Sequence, residues 1–257
     1  MIARIETCRR AAPQVSPAAK PQILTTAEFH AAVHALAPSV AVFDCDGTLW
    51  SGDAGTGFMR WTVDGGLLSR KAIDWLDDRY RAYLRGEVSE LAICGEMVQI
   101  YQGLRESEMR SAAAEFFATR IEPNLFPEML TLVRDLQARG TEIWAVSSTC
   151  NWVIEEGMRR FEIPPDRILA ARVAIDSEAG LVTHTLLDVP TDEAKVASLA
   201  RVGIHAPDAV FGNSIHDAAM LAIARRAFPI DPTPALLAHS IRERWPVYYP
   251  ASVAPSP

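Results

Sequence analysis

Two spacings of apolar residues alternate along the chain. TTAEFHAAVHAL, from residue 25, has helical periodicity with Thr25 or Thr26 as its cap. SVAVFD, residues 39–44, is a β-branched run broken by a glycine turn, and predicts a buried parallel strand. From about residue 53 to 121 the pattern changes. TGFMRWTVDGGL, RKAIDWLDDRYRAYLRG, VSELAICGEMVQIYQGL and RESEMRSAAAEFFATRI all keep helical spacing, with glycines between segments and no strand signal.

Alternation resumes at Pro123. PEMLTLVRDLQARG predicts a helix opened by Pro127 and closed by Gly140, followed by the strand TEIWAVSS and the helix NWVIEEGMRRF. RILAARVAIDSEAGLVTHTLL predicts a hairpin turning near Glu178 to Gly180. DEAKVASLARVG (helix), DAVFGNS (strand), DAAMLAIA (helix), RAFPID (strand) and PALLAHSIRER (helix) complete the series. The fold class is α/β: a doubly wound, mostly parallel sheet, Rossmann-like, with an inserted all-helical cap domain. The organisation expected is a disordered leader over 1–22, a core from 23–52 and 122–250, a helical cap over 53–121 and a frayed tail over 251–257. The tail YYPASVAPSP is expected to fray as well.

Composition narrows this. The 257 residues are 49% hydrophobic and 22% charged, which suits a soluble chain with a sizeable core. The net charge is −7 and no basic run exceeds two residues, which argues against nucleic acid. Cys8, Cys45, Cys94 and Cys150 are far apart and form no C-x-x-C pair, so neither a zinc site nor a disulfide framework is expected. With no signal-peptide core and no membrane-length apolar window, the expectation is a cytoplasmic protein, monomer or homodimer, without a membrane partner.

Ligands of doubly wound sheets sit at the carboxyl ends of the strands. The first predicted strand ends on Asp44, Cys45, Asp46, Gly47 and Thr48. Asp44 and Asp46 start on the same side of the strand, and like charges so close persist with a cation or a shared proton. Mg²⁺ would satisfy both, and Gly47 would let the backbone turn its amides toward an anion; a solvated strand end is the plainer alternative. Ser147 ends the second strand beside a helix N-terminus, a seat for phosphate or a simple cap. Lys195 opens a helix, where a basic residue is badly placed for the dipole unless an anion is near; it also reads as an exposed lysine. Asn213, Ser214 and Asp217 follow the strand that ends at Gly212, as caps or as oxygens converging on the cavity of the first motif. Cys45 is expected to point into the core, and His216, beside the metal motif, to be an exposed loop histidine rather than one that reaches the site.

The order D-x-D-G-T, strand-end Ser, Lys, then G-N-S-x-x-D-x-x-M-L, with helices inserted after the first strand, resembles the haloacid dehalogenase superfamily. Within it the chain is most similar to the phosphoserine phosphatase branch, over about residues 39 to 230. The resemblance implies Asp44 as nucleophile and Asp46 as general acid and base. It implies Gly47, Ser147, Ser148 and Lys195 as phosphate-binding groups, and Mg²⁺ held by Asp44, the Asp46 carbonyl, Asn213 and Asp217. One departure stands out: that family usually has Asp where this chain has Asn213, so weaker metal binding is expected, with Asp217 taking more of the load. Asp46 favours phosphate esters over haloacids, because dehalogenases of the superfamily lack an acid there.

The small-molecule phosphate ester is less sharply marked. Asp53 matches a cap acid that contacts the substrate amine in phosphoserine phosphatases. DCDGTLWSGD also resembles the phosphorylcholine phosphatase version of the motif, with Trp50 and Asp53 at matching places. Trp50, Trp61, Trp75, Tyr80 and Tyr83 could cage an amine, although Trp61 and Trp75 also sit at core spacing. Arg60, Arg79, Arg81 and Arg85 could seat a carboxylate or simply face solvent. A catalytically weak ligand-binding relative is the alternative that Asn213 raises.

Overall fold

The computed structural model describes residues 20–253; the expected leader up to residue 19 and the last four residues of the expected tail lie outside the described residues. The strands are β1 (Ile23–Leu24), β2 (Val40–Phe43), β3 (Glu142–Cys150), β4 (Ile168–Asp176), β5 (Leu181–Asp188), β6 (Ala209–Gly212), β7 (Arg226–Pro229) and β8 (Val247–Tyr248). Six of them form one sheet in the order β5-β4-β3-β2-β6-β7, parallel except for the β4–β5 hairpin. That hairpin turns where Asp176 accepts from the backbone N–H of Glu178 and Ala179, and Gly180 takes a φ of +65°.

The period-2 alternation of β2 explains the two layers. Phe43 stacks on Phe211, which stacks on Phe228, at centroid separations of 4.2 and 5.2 Å. This aromatic row packs under α1 (Thr26–Leu36), α6 (Pro127–Ala138) and α7 (Asn151–Arg160). On the opposite face Val42, Val146, Leu169 and Val210 pack against α8 (Glu193–Arg201), α9 (Ala218–Ala222) and α10 (Pro234–Glu243). Each of these wholly buried side chains contributes about 1.5–3 kcal/mol over exposure.

Between β2 and β3 the chain forms α2 (Ala54–Asp64), α3 (Arg70–Leu84), α4 (Glu90–Gln99) and α5 (Glu106–Phe116), with no strand among them. Asp53, Ser69 and Ser89 start the first three by accepting a backbone N–H inside the first turn. Thr25, not Thr26, caps α1, in a capping box with Glu28.

Two expectations need correction. Tyr248 does not fray: it lies in β8, paired with β1, and its buried ring stacks on Phe29 at 4.2 Å. Trp75 is 48% exposed and belongs neither to the core nor to a cage, whereas Trp61 is half-buried against the core under the Arg120 guanidinium.

Candidate active site

The carboxyl ends of β2, β3 and β6 open into a cavity of about 250 Å³. It is lined at the sheet by Asp44, Asp46, Ser147, Ser148, Lys195 and Asn213, and from the helical side by Tyr80, Tyr83, Glu90 and Tyr101.

Lys195 holds the floor. It is buried, and its Nζ donates to Asp44 Oδ1 at 2.7 Å, Asp217 Oδ1 at 2.5 Å and the Val146 carbonyl at 3.2 Å. Burial alone would pull its pKa down, but Asp217 and Asp44 outweigh that and hold the ammonium charged. Asp44 also accepts from Thr48 Oγ1 at 3.0 Å. Burial, and then Asp217, push the Asp44 carboxyl up to about 6 against the opposing pull of Lys195. The floor therefore carries more negative charge than one lysine relieves, and it is competent to receive a cation.

Asp46 faces elsewhere. Its Oδ1 accepts from the Trp50 indole N–H at 2.7 Å and the Ala54 amide at 2.9 Å, and its Oδ2 from Thr149 Oγ1 at 2.7 Å. Burial, with Asp53 nearby, raises its carboxyl to about 7, where it can hold or release a proton near neutrality. Three donors fix the carboxylate at the mouth of β3, where Thr149 lies within a register shift between Ser147 and Cys150. Gly55 makes room for this: a Cβ there would lie 2.8 Å from Thr149 Oγ1.

Ser147 is buried and lines the cavity, with its Oγ accepting from the Thr149 amide at 3.1 Å; Ser148 lines it beside them. Gly47 turns with a φ of +71°, and a Cβ at that position would overlap the Asn213 side chain at 2.4 Å.

Asn213 is oriented from behind. Its Nδ2 donates to the Asp231 carbonyl at 2.6 Å, so Oδ1 is the atom left to serve a ligand. Hence the oxygens able to hold a hard cation are the Asp44 carboxylate, the Asp46 carbonyl and Asn213 Oδ1. Asp217, the other carboxylate expected at the cation, has both oxygens engaged by protein donors, as Asp44 does. Its Oδ1 is bound by Lys195, and its Oδ2 by the amides of Asn213 and Ser214, which makes it the support of the lysine and of the loop.

Trp50 does not line the cavity. It is wholly buried, edge-on to Phe117 at 5.4 Å, and reaches the site only through Asp46. Asp53 does line the cavity, but both its oxygens are engaged by Thr56 as the cap of α2. Three of the four arginines are paired, Arg79 bidentate to Glu96, Arg81 with Asp78 and Arg85 with Glu87, and the exposed Arg60 does not line the cavity. Cys45 is buried in the core, and burial lifts its thiol far above the usual range. Of the other cysteines, Cys94 and Cys150 are free and Cys8 lies outside the described residues.

Sequence reasoning missed Thr149, Glu90 and the position of His216. His216 lines the cavity, with Nδ1 2.8 Å from Asp192 Oδ1 and Nε2 3.5 Å from the Tyr83 hydroxyl and 3.6 Å from Glu90 Oε2. Glu90 Oε2 is shielded from solvent and has no hydrogen-bond partner. Burial, and then Glu90, push the Tyr83 phenol up, so it stays protonated.

No helix among the described residues is long and apolar enough to cross a membrane. The fold is similar to that of solved structures at low identity. A protein of unknown function from Bordetella pertussis Tohama I is 22% identical, with a TM-score of 0.72 over 81% of this chain and 97% of that one. A HAD family hydrolase from Salmonella enterica serovar Typhi is 17% identical, with a TM-score of 0.59 over 81% and 66%. A substrate-bound phosphoserine phosphatase is 14% identical, with a TM-score of 0.56 over 82% and 92%. No curated protein matches the chain at a significant level. The model of the haloacid dehalogenase-like hydrolases matches residues 41–222, the span that contains Asp44, Asp46, Ser147, Lys195 and Asp217, and the chain belongs to that family.

Proposed function

We infer that this hydrolase cleaves phosphate monoesters of a small, amine-bearing metabolite through an aspartyl-phosphate on Asp44. The observation that carries the reaction class is the pair of carboxylates with separate duties. Asp44 is held on Lys195, and Asp46 is held away from it with a carboxyl raised to about 7. An Asp44 oxygen attacks phosphorus as the ester P–O bond breaks, and Asp46 gives its proton to the departing alkoxide. Asp46, now ionised, takes a proton from water, whose oxygen attacks the acyl phosphate and returns the Asp44 carboxylate with inorganic phosphate. Lys195, Ser147 and the amides around Gly47 and Ser148 are the groups placed to balance the charge on the phosphoryl oxygens.

Mg²⁺ fits the oxygen set of Asp44, the Asp46 carbonyl and Asn213, and the uncompensated charge at Asp44 supports a divalent cation there. When bound, it supplies electrostatic stabilisation to the phosphoryl group. Asn213 is anchored by the Asp231 carbonyl, which favours a built-in ligand over a decayed site.

The lining favours the amine over an amino acid. Among the described residues around the cavity there is no arginine to seat a carboxylate, while Glu90, Tyr80 and Tyr83 face it. Phosphate release would be measured with Mg²⁺ over choline, ethanolamine and serine phosphates and an aryl phosphate. We expect the first two to lead and Asp44→Asn to abolish all four. Serine phosphate leading would overturn the substrate reading, and turnover surviving in Asp44→Asn would overturn the mechanism.

A further inference from the structure

His30 and His34 stand one helical turn apart on the same face of α1, and Asp135 faces them from α6. One ligand atom from each lies within 4.8 Å of the others. His34 Nε2 and Asp135 Oδ2 are 3.9 Å apart, too far for a hydrogen bond. The Nε2 atoms of both imidazoles are shielded from solvent and have no hydrogen-bond partner. Glu128, two turns before Asp135 on the same helix face, has a shielded Oε2 without a partner as well, while its Oε1 accepts from the Ala251 amide. Shielded nitrogens and a carboxylate oxygen that satisfy nothing are costly, and native structures rarely keep three of them together without a reason.

We propose that His30, His34 and Asp135 form a second metal site, for a transition-metal dication of the zinc class, separate from the strand-end oxygens. Three atoms no more than 4.8 Å apart fit within about 2.8 Å of a common centre, and bonds of about 2.0–2.1 Å to zinc then need each side chain to move inward by less than about 1 Å. Such a shift is within reach of side chains at a half-buried groove: His34 is 24% exposed and Asp135 47%. Two imidazoles and one carboxylate select zinc, cobalt or nickel over magnesium, whose preference is for oxygen alone. The fourth position falls to water or to Glu128. The ion would tie α1 to α6, and so fasten the first described helix to the layer beneath β3. Neither α1 nor α6 lines the catalytic cavity, so the site does not rest on the proposed reaction.

The test uses the full chain, stripped with chelator and then held in excess Mg²⁺ to occupy the strand-end oxygens. Co²⁺ is titrated in and followed by its visible absorption, with Zn²⁺ competition and thermal melts alongside. We expect one Co²⁺ per chain with a nitrogen-ligated spectrum, displaced by Zn²⁺, and a melting temperature raised by Zn²⁺. His34→Gln should remove the spectrum, and Asp135→Asn, at a half-exposed position that leaves the fold intact, should weaken binding by roughly tenfold or more. Asp44→Asn should leave the spectrum unchanged. A Co²⁺ spectrum that is absent, indifferent to His34→Gln and Asp135→Asn, or lost in Asp44→Asn would overturn the proposal.

Discussion

The Trp50 indole N–H donates to Asp46 Oδ1 at 2.7 Å, and the ring behind it is wholly buried against Phe117. A tryptophan that on sequence grounds belonged to the substrate is instead a positioning residue for the proposed acid. Trp50→Phe keeps most of the packing and deletes one of three donors to Asp46. Losing a donor to the ionised form raises the carboxyl further above 7. We expect the Asp46 limb of the pH–rate profile to move upward, kcat to fall by about tenfold, and KM to hold. A change in KM with an unmoved profile would return Trp50 to the substrate.

Asp46 also makes a prediction for stability. Its folded pKa of about 7 stands above the unfolded carboxylate value of 3.8. Between those two values the folded chain binds more protons than the unfolded one, so this carboxyl costs stability increasingly as pH rises through that window, and the full cost is present above it. Asp46→Asn keeps acceptors for Trp50 and Ala54 and removes the charge. Without added divalent ion, it should be more stable than the parent at pH 8, on the order of 1 kcal/mol or more, with the gain vanishing near pH 4. Urea denaturation at both pH values checks this, and a gain equal at both would mean that charge is not the cause.

Lys195 sits between Asp44 and Asp217, at 2.7 and 2.5 Å. Removing it leaves two buried carboxylates facing one another. Lys195→Met should cost about 3–5 kcal/mol at pH 8, and the loss should shrink at pH 5 as Asp44 takes up a proton. Adding Asp217→Asn to that variant should recover part of the stability and none of the activity. Strictly additive effects in the double variant would break the case for one coupled triad.

The pieces of the site that were legible are those a parallel sheet must bring together. Asp44 and Asn213 each follow a buried strand and Ser147 lies near the carboxyl end of another, so once β2, β3 and β6 are neighbours their convergence is forced. Thr149 was illegible because it depends on a register shift between Ser147 and Cys150 that alternation does not signal. Glu90 and His216 were illegible because their meeting depends on how α4 packs over the sheet, which is long-range tertiary geometry. The contacts of Asp217 with Lys195 and the Asn213 and Ser214 amides were illegible because an acid at a helix start has the same sequence signature whether it meets a metal, a lysine or its own backbone. Tyr248 misled through its neighbours: proline and small polar residues after it read as a tail, while pairing with Leu24, a bridge to Ile230 and a stacked ring hold it.

Asn213 carries the last prediction, because its departure from the usual aspartate has a local cause. Its Nδ2 points at the Asp231 carbonyl at 2.6 Å, and a carboxylate in that place would set oxygen against oxygen. Asn213→Asp in the stripped protein should therefore lose about 1–2 kcal/mol, the cost of a buried acceptor left facing another. The added charge would strengthen the oxygen set for a cation, so Mg²⁺ should raise the melting temperature of the variant more than that of the parent. Thermal melts of both proteins across a Mg²⁺ series separate the two effects. Equal stability without metal would discount the Asp231 anchor, and an equal Mg²⁺ response would remove Asn213 from the set of cation ligands.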